Sequence, residues 1–295
     1  MKSRLILAGA VAAVVSLAGL ASSTSVASGP ASAGRQAAPV LRYVALGDSY
    51  SAASGVVPID PTAPQCLRST LNYPSVIGAE IGADVVDVTC GAAETGDYFT
   101  EQYPGTAPQL DALNRNTQLI TMTIGGNDSN VFVGAVLSCG VAGLSTLGTG
   151  SPCKDQYGDS FEKTVRTKTY PSLVKALTAV HQKSPRARVA ILGYPRILPS
   201  QGGCFPQMPV AEGDVPYLYS LQLTLNDAVE RAAKKTGTVY VDVPAASAGH
   251  DACQAIGTRW VEPVLLGTNP VIVHPNALGE AKMAALTVKK LGLRR

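Results

Sequence analysis

Residues 43–51 read Tyr43-Val44-Ala45-Leu46-Gly47-Asp48-Ser49-Tyr50-Ser51. The first four make a short apolar run, and Gly47 stops it. A strand that ends on glycine and runs into Asp-Ser delivers a hydroxyl just past its carboxyl end. Four more runs have the same form. Val85-Val86-Asp87-Val88 stops at Cys90-Gly91, and Leu119-Ile120-Thr121-Met122-Thr123-Ile124 stops at Gly125-Gly126. Val189-Ala190-Ile191-Leu192 stops at Gly193, and Val239-Tyr240-Val241-Asp242-Val243 stops at Pro244. Continuous β-branched runs of this length predict strands buried on both faces.

Helical patterns lie between the runs. Leu218, Leu221, Leu225, Ala228 and Ala232 recur at helical spacing among Asn, Glu and Lys. Val165, Leu173, Leu177 and Val180 predict another helix, which Pro171 must break, kink or start. Ala277 to Leu291 reads as a C-terminal helix, opened by Asn276 or by His274-Pro275. This alternation predicts an α/β fold with a mostly parallel, five-stranded sheet, and such folds bind ligands at the carboxyl ends of their strands. Ala135 to Pro152 is rich in Gly, Ser and Thr and reads as a long loop held by a Cys139–Cys153 bridge. Residues 135–160 and 199–217 are expected to wall the substrate groove.

Outward from the sheet, the N-terminus has a different character. Lys2 and Arg4 precede an apolar stretch from Leu5 to Leu20, and Ala31-Ser32-Ala33 fits a small-x-small cleavage site, with Ala27 as an alternative. The expectation is a cleaved signal peptide over 1–33, a disordered stretch over 34–40 and a single domain over 41–295. No second run of about 20 apolar residues follows, so an exported chain without a stable membrane anchor is expected. Removing 1–33 leaves 22 basic and 21 acidic residues. A near-neutral body without a basic face excludes a nucleic-acid partner. Lys234-Lys235 and Lys289-Lys290 fall on solvated helix faces.

The six cysteines are Cys66, Cys90, Cys139, Cys153, Cys204 and Cys253. None makes a Cys-x-x-Cys pair, which argues against a structural zinc site. An even count in an exported chain predicts three disulfides, and pairing in sequence order is simplest: Cys66–Cys90, Cys139–Cys153 and Cys204–Cys253.

The glycine stops after the first three strands carry the chemistry. Gly47-Asp48-Ser49, Cys90-Gly91-Ala92-Ala93 and Gly125-Gly126-Asn127-Asp128 should meet at one edge of the sheet. A serine hydroxyl, an unobstructed backbone N–H and an asparagine amide are what ester hydrolysis needs: a nucleophile and donors for the oxyanion. Each residue also has a plainer role available. Ser49 is a good helix N-cap, Asn127 and Asp128 can cap the next helix, and Gly91 can simply permit a turn. Asp48 can support its loop through backbone hydrogen bonds. Of the three histidines, His181 belongs to a helix surface. His250 lies beside a disulfide with Asp251, where both can be structural. His274 opens the last helix and ranks first as a base, with His250 second. Trp260 either lines the groove or fills core beneath it.

Taken together the blocks resemble the GDSL/SGNH hydrolases. Ala45-Leu46-Gly47-Asp48-Ser49-Tyr50-Ser51 is similar to the first block, Gly91 after Cys90 to the second, Gly125-Gly126-Asn127-Asp128 to the third and His274-Pro275 to the fifth. The cysteine layout and Gly249-His250-Asp251-Ala252-Cys253 look like the secreted, Streptomyces-type actinobacterial lipases and esterases. The likeness covers residues 41–291. It implies a three-layer, flavodoxin-like α/β/α sandwich. It also implies an acyl-enzyme on Ser49, His274 as general base, and an oxyanion hole from the Ser49 N–H, the Gly91 N–H and the Asn127 side chain. No metal or cofactor is implied; the partner is an ester or lipid substrate, and the chain is expected to act outside the cell as a monomer. Phospholipase A or carbohydrate acetylesterase activity on the same site is an alternative. A secreted, non-catalytic binding protein is another, which loss of Ser49 or His274 would have favoured. The Gly-x-Ser-x-Gly elbow is absent, because Ser51 stands two residues after Ser49.

One departure from the family pattern stands out. The fifth block usually reads Asp-x-x-His, and this chain has Val271-Ile272-Val273-His274. The second imidazole nitrogen still needs an acceptor to fix its tautomer. The backbone carbonyl of Val271 or Ile272 is expected to serve, with Asp251 as the competing third member of a triad.

Overall fold

The computed structural model describes residues 40–294, so the signal peptide expected over 1–33 and all but Val40 of the stretch expected over 34–40 lie outside the described residues. Strands β1 (Arg42–Ala45), β2 (Asp84–Asp87), β3 (Leu119–Met122), β4 (Arg188–Leu192) and β5 (Val239–Val241) form a parallel sheet in the order β2-β1-β3-β4-β5. In the register, Tyr43 faces Val85 on one side and Leu119 on the other. Each apolar run holds a strand, though several end a residue or two early. Backbone bonds still carry the pairing onward: Leu46 N donates to Thr121 O at 3.0 Å, Asp48 N to Thr123 O at 2.9 Å and Cys90 N to Gly47 O at 3.0 Å. These bonds set the three glycine-stopped loops side by side.

The strands are linked and covered by α1 (Ser49–Ala52), α2 (Tyr73–Ile81), α3 (Val131–Ser145), α4 (Pro152–Tyr157), α5 (Ser160–Thr164), α6 (Tyr170–Lys183), α7 (Val215–Thr236), α8 (Val243–Ala246) and α9 (Ala277–Leu291). Alternate strand residues point to opposite faces, so one strand serves two cores. Val44, Ile120 and Ile191 pack with Leu173 and Leu177 of α6 and with Leu221 and Leu225 of α7. Tyr43, Leu119 and Ala190 pack on the other face with Tyr73 and Ile77 of α2 and with Met283 and Ala284 of α9. The result is an α/β/α sandwich. Each fully buried Leu or Ile contributes about 1.5–3 kcal/mol, so the sheet is a stiff platform for the loops at its carboxyl edge.

Two local readings change. Residues 135–152 are not a loop: most of them belong to α3, which runs from Val131 to Ser145, and Pro152 begins α4. The glycines that suggest a loop permit close packing, since a Cβ on Gly143 would collide with the backbone of Pro209 and Ala211. Pro171 stands in the first turn of α6, directly after a π-helical turn over Val165–Thr169. Wider winding ahead of the proline accommodates its missing N–H without ending the helix. At the other end, Asn276 is the N-cap of α9, its side chain accepting from Gly279 N at 2.9 Å. The cysteines pair in sequence order, Cys66–Cys90, Cys139–Cys153 and Cys204–Cys253. Trp260 belongs to the core on the α9 face, only 4% exposed, and its ring stacks on His250 at 4.7 Å.

Candidate active site

Ser49 is the first residue of α1, directly beyond β1. Asp48 caps this short helix, its carboxylate accepting from Tyr50 N at 3.0 Å. The same carboxylate accepts from Thr123 Oγ1 at 2.7 Å and from the Tyr194 hydroxyl at 2.5 Å. Tyr194 Oη in turn accepts from Gly126 N at 2.9 Å. Asp48 therefore ties the serine turn to the loops after β3 and β4. Burial pushes its carboxyl up to about 6, against the three donors that pull it down. Gly47 is held as firmly, its N–H on Gln109 Oε1 at 2.7 Å and its carbonyl accepting from Gln109 Nε2 at 3.0 Å.

His274 reaches this edge from a segment that loops over it before α9. Its Nε2 lies 2.7 Å from Ser49 Oγ, and its Nδ1 lies 2.7 Å from the Ile272 carbonyl. A carbonyl can only accept, so Nδ1 carries the proton and Nε2 presents its lone pair to the serine. Burial pushes the imidazole below its ordinary value near 6.5, with the Ile272 carbonyl acting in the opposite direction. The segment is anchored by Glu262, whose buried carboxylate accepts from Arg259 Nη2 at 2.6 Å, Thr268 N at 2.7 Å and Asn276 Nδ2 at 2.7 Å. Backbone bonds run from Glu262 N to His274 O and from Val273 N to Glu262 O.

The other sequence candidates fall into place by what they touch. Asp251 is buried, its carboxylate accepting from Cys253 N at 3.0 Å and facing Gln254; no bond joins it to His274. His250 Nδ1 lies 2.6 Å from the Thr258 carbonyl, and half-buried His181 pairs with Thr238 Oγ1. Neither meets Ser49. Asn127 does not cap the turn after it; its Nδ2 donates one proton to the Ala93 carbonyl at 3.0 Å and keeps the second. Asp128 binds back to the second loop, accepting from Thr95 N at 2.8 Å and Thr95 Oγ1 at 2.7 Å.

Gly91 requires a correction. Its N–H donates to the Cys66 carbonyl at 2.8 Å and is not free to meet an oxyanion. The next residue offers what Gly91 does not. Ala92 is exposed, stands at φ 62° and has an N–H with no partner among the described residues. The Ser49 N–H is unpaired in the same sense; as the first amide of a helix it has no partner within the helix.

Beside the hydroxyl opens a cavity of about 200 Å³. Ser49, Tyr50, Asn127 and His274 sit along one side, and Phe132, Val133, Val136 and Leu137 of α3 form an apolar wall with Ile197 and Ile272. Of the two segments expected to wall the groove, 135–160 contributes Val136 and Leu137, and 199–217 contributes nothing to this lining. Tyr194 and the α3 residues Phe132 and Val133 are lining residues that no sequence motif points to. Tyr194 follows the glycine that stops β4, the same position from which the other loops supply theirs.

A GDSL-like lipase/acylhydrolase family model matches residues 45–282. The chain is 55% identical over 293 residues to Lipase 2 of Streptomyces coelicolor, covering 98% of each. Its structure is similar to that of phospholipase A1 from Streptomyces albidoflavus NA297, with a TM-score of 0.72 and 28% identity over 85% of this chain and all of that one. The extracellular lipase of Streptomyces rimosus matches equally, with a TM-score of 0.72 and 28% identity over 85% of this chain and all of that one.

Proposed function

The chain belongs to the GDSL-like lipase/acylhydrolase family and is an ester hydrolase of the lipase/esterase kind, and from that premise we propose that it works through an acyl-enzyme on Ser49 with His274 as general base. One observation carries the reading: Ser49 Oγ lies 2.7 Å from His274 Nε2 while Nδ1 is held by the Ile272 carbonyl. Ser49 Oγ attacks the ester carbonyl carbon and its proton passes to Nε2. The tetrahedral oxyanion is met by the N–H groups of Ser49 and Ala92 and by Asn127 Nδ2. Collapse breaks the ester C–O bond, and Nε2–H protonates the departing alkoxide. A water molecule then attacks the acyl-enzyme, giving its proton to Nε2, and Ser49 regains that proton as the acid leaves. The apolar cavity beside Ser49 takes the acyl chain, and no step calls for a metal.

The chain is proposed to act outside the cell. Three disulfides, the leader-like N-terminus and the likeness to an extracellular lipase support that reading. A phospholipase A activity on the same site draws on the likeness to the Streptomyces albidoflavus phospholipase A1. The deciding experiment is turnover of p-nitrophenyl butyrate by the wild type and Ser49→Ala, with fluorophosphonate labelling of both. Loss of turnover and of a single adduct, at unchanged Tm, is expected. A Ser49→Ala protein that still hydrolyses the ester removes the nucleophile, and a wild type that neither turns over nor labels is a binding protein on this scaffold.

A further inference from the structure

Helix α3 is apolar on both sides. Its inner face buries Phe132, Ala135, Val136 and Cys139. Its outer face carries Val133, Leu137, Val141 and Leu144, exposed by 38%, 54%, 70% and 51%. Steps of four, four and three residues put them in one stripe. Leu147, 80% exposed, extends it beyond the helix. No charged residue occurs from Ser129 to Cys153. A water-facing helix surface normally carries its polar residues there, and contiguous exposed apolar surface marks an interaction site.

The stripe is continuous with the catalytic cavity. Val133 and Leu137 line that cavity together with Ser49 and His274. Leu137 and Val141 also line an open groove on the far side, against Pro152 and Tyr157 of α4. The ridge is fixed in place: the Cys139–Cys153 bridge ties α3 to α4, and the first amides of α4, Cys153 N and Lys154 N, are both held 2.9 Å from the Asp214 carboxylate.

We infer that this ridge seats the enzyme on the surface of a lipid aggregate, so that an acyl chain passes along Leu137 into the cavity without crossing water. The inference rests on the lipase reading above. A second copy of the chain is the weaker occupant, because a protein seated on Val133 and Leu137 would cover the mouth of the cavity those residues line. With no charge on the ridge, attachment is hydrophobic. It needs no anionic headgroup and is insensitive to salt, unlike a polybasic contact.

The test uses the full chain carrying Ser49→Ala, so that lipid is not consumed, cosedimented with dioleoylphosphatidylcholine vesicles at low and high salt. Binding is expected at both, and Val141→Glu with Leu144→Glu should weaken it by about tenfold or more. In the active background the same pair, which lies outside the cavity, should leave p-nitrophenyl butyrate turnover unchanged. If the pair lowers Tm, Leu147→Ser replaces it as the reporter. Equal vesicle binding by variant and parent, no binding by the parent, or a wild-type dimer that the pair dissociates would each overturn the proposal. Because binding is read in a catalytically dead chain, it stands or falls separately from the role of Ser49.

Discussion

The hydroxyl of Tyr50 donates to the carbonyl of Val273 at 2.6 Å, joining the residue after Ser49 to the residue before His274. Val273 is buried and stands at φ 59°, a region in which a β-branched residue is strained by about 1–2 kcal/mol. That backbone turn lets the Ile272 carbonyl and the His274 ring face each other two residues apart. Tyr50 is thus a positioning residue for the base, and its ring lies 5.1 Å from the imidazole. Tyr50→Phe keeps the ring and leaves the Val273 carbonyl unpaired. We expect kcat to fall about tenfold with KM little changed, because about 1.4 kcal/mol of lost alignment appears in the transition state. An unchanged kcat beside a lowered Tm would make the bond merely structural.

Asp251→Asn separates a dyad from a triad. In a triad the same exchange presents the wrong tautomer and lowers kcat by about 10⁴. Here Nδ1 is on the Ile272 carbonyl and Asp251 is on Cys253 N, so kcat should change less than about threefold even if Tm drops with the altered turn. Steady-state kinetics beside thermal denaturation decides it. A thousandfold loss at unchanged Tm would show Asp251 acting on the base.

The pH profile tests the same point from another side. The base must be neutral to accept a proton, so activity rises as pH increases through the imidazole pKa. Burial holds that pKa below 6.5, and the rise in kcat/KM should therefore be centred below 6.5. A carboxylate on Nδ1 would stabilise the imidazolium and move the rise upward. Asp48, pushed up to about 6, titrates in the same range, so the ring itself is followed by NMR with His274→Asn as the assignment control. A rise centred above 6.5, matched by the His274 ring signal, would contradict the carbonyl partner.

How much of the molecule is legible in its sequence depends on the kind of signal each feature leaves. The inner strands are legible, because burial on both faces demands runs such as Leu119 to Met122. The edge strands are legible as runs but are not buried on both faces, β2 alternating exposed and half-buried residues and β5 burying only Val241 fully. That Ser49, Asn127 and His274 would meet at one site is legible, because few side chains can supply the nucleophile, amide and base proposed for them. Helix α3 is not. Gly134, Gly140 and Gly143 lower helix propensity, and only the packing partner reveals why they are tolerated: Pro209 and Ala211 come too close for a Cβ at Gly143. The Tyr50–Val273 bond spans 223 residues and no local pattern encodes it. The sequence points one residue ahead of the free amide proposed as second oxyanion donor, because a backbone N–H leaves no signature of its own and the glycine beside it does.

Gly91 and Ala92 can be told apart by removing one amide at a time. At Gly91 a Cβ would meet the Cys66 carbonyl at 2.9 Å and Ser54 Oγ at 3.1 Å, so glycine is required there by packing. Its N–H closes a bond across the Cys66–Cys90 bridge. Ala92 lies at φ 62° with its N–H unpaired, which glycine would also accept. Ala92→Gly should keep kcat, because the donor belongs to the backbone. Lactic acid in place of Ala92 retains the methyl group and exchanges only the N–H for oxygen. Loss of one oxyanion donor typically costs about 10²–10³ in kcat, and that loss is expected here, with Asn127→Ala giving a comparable one. Glycolic acid in place of Gly91 deletes the bond to Cys66 instead, and should lower Tm while the folded enzyme keeps its turnover. If the two esters behaved the other way round, with the Gly91 analogue inactive and the Ala92 analogue unimpaired, the donor would be Gly91 after all. The turn would then have to open in the substrate complex to release the Gly91 N–H from the Cys66 carbonyl.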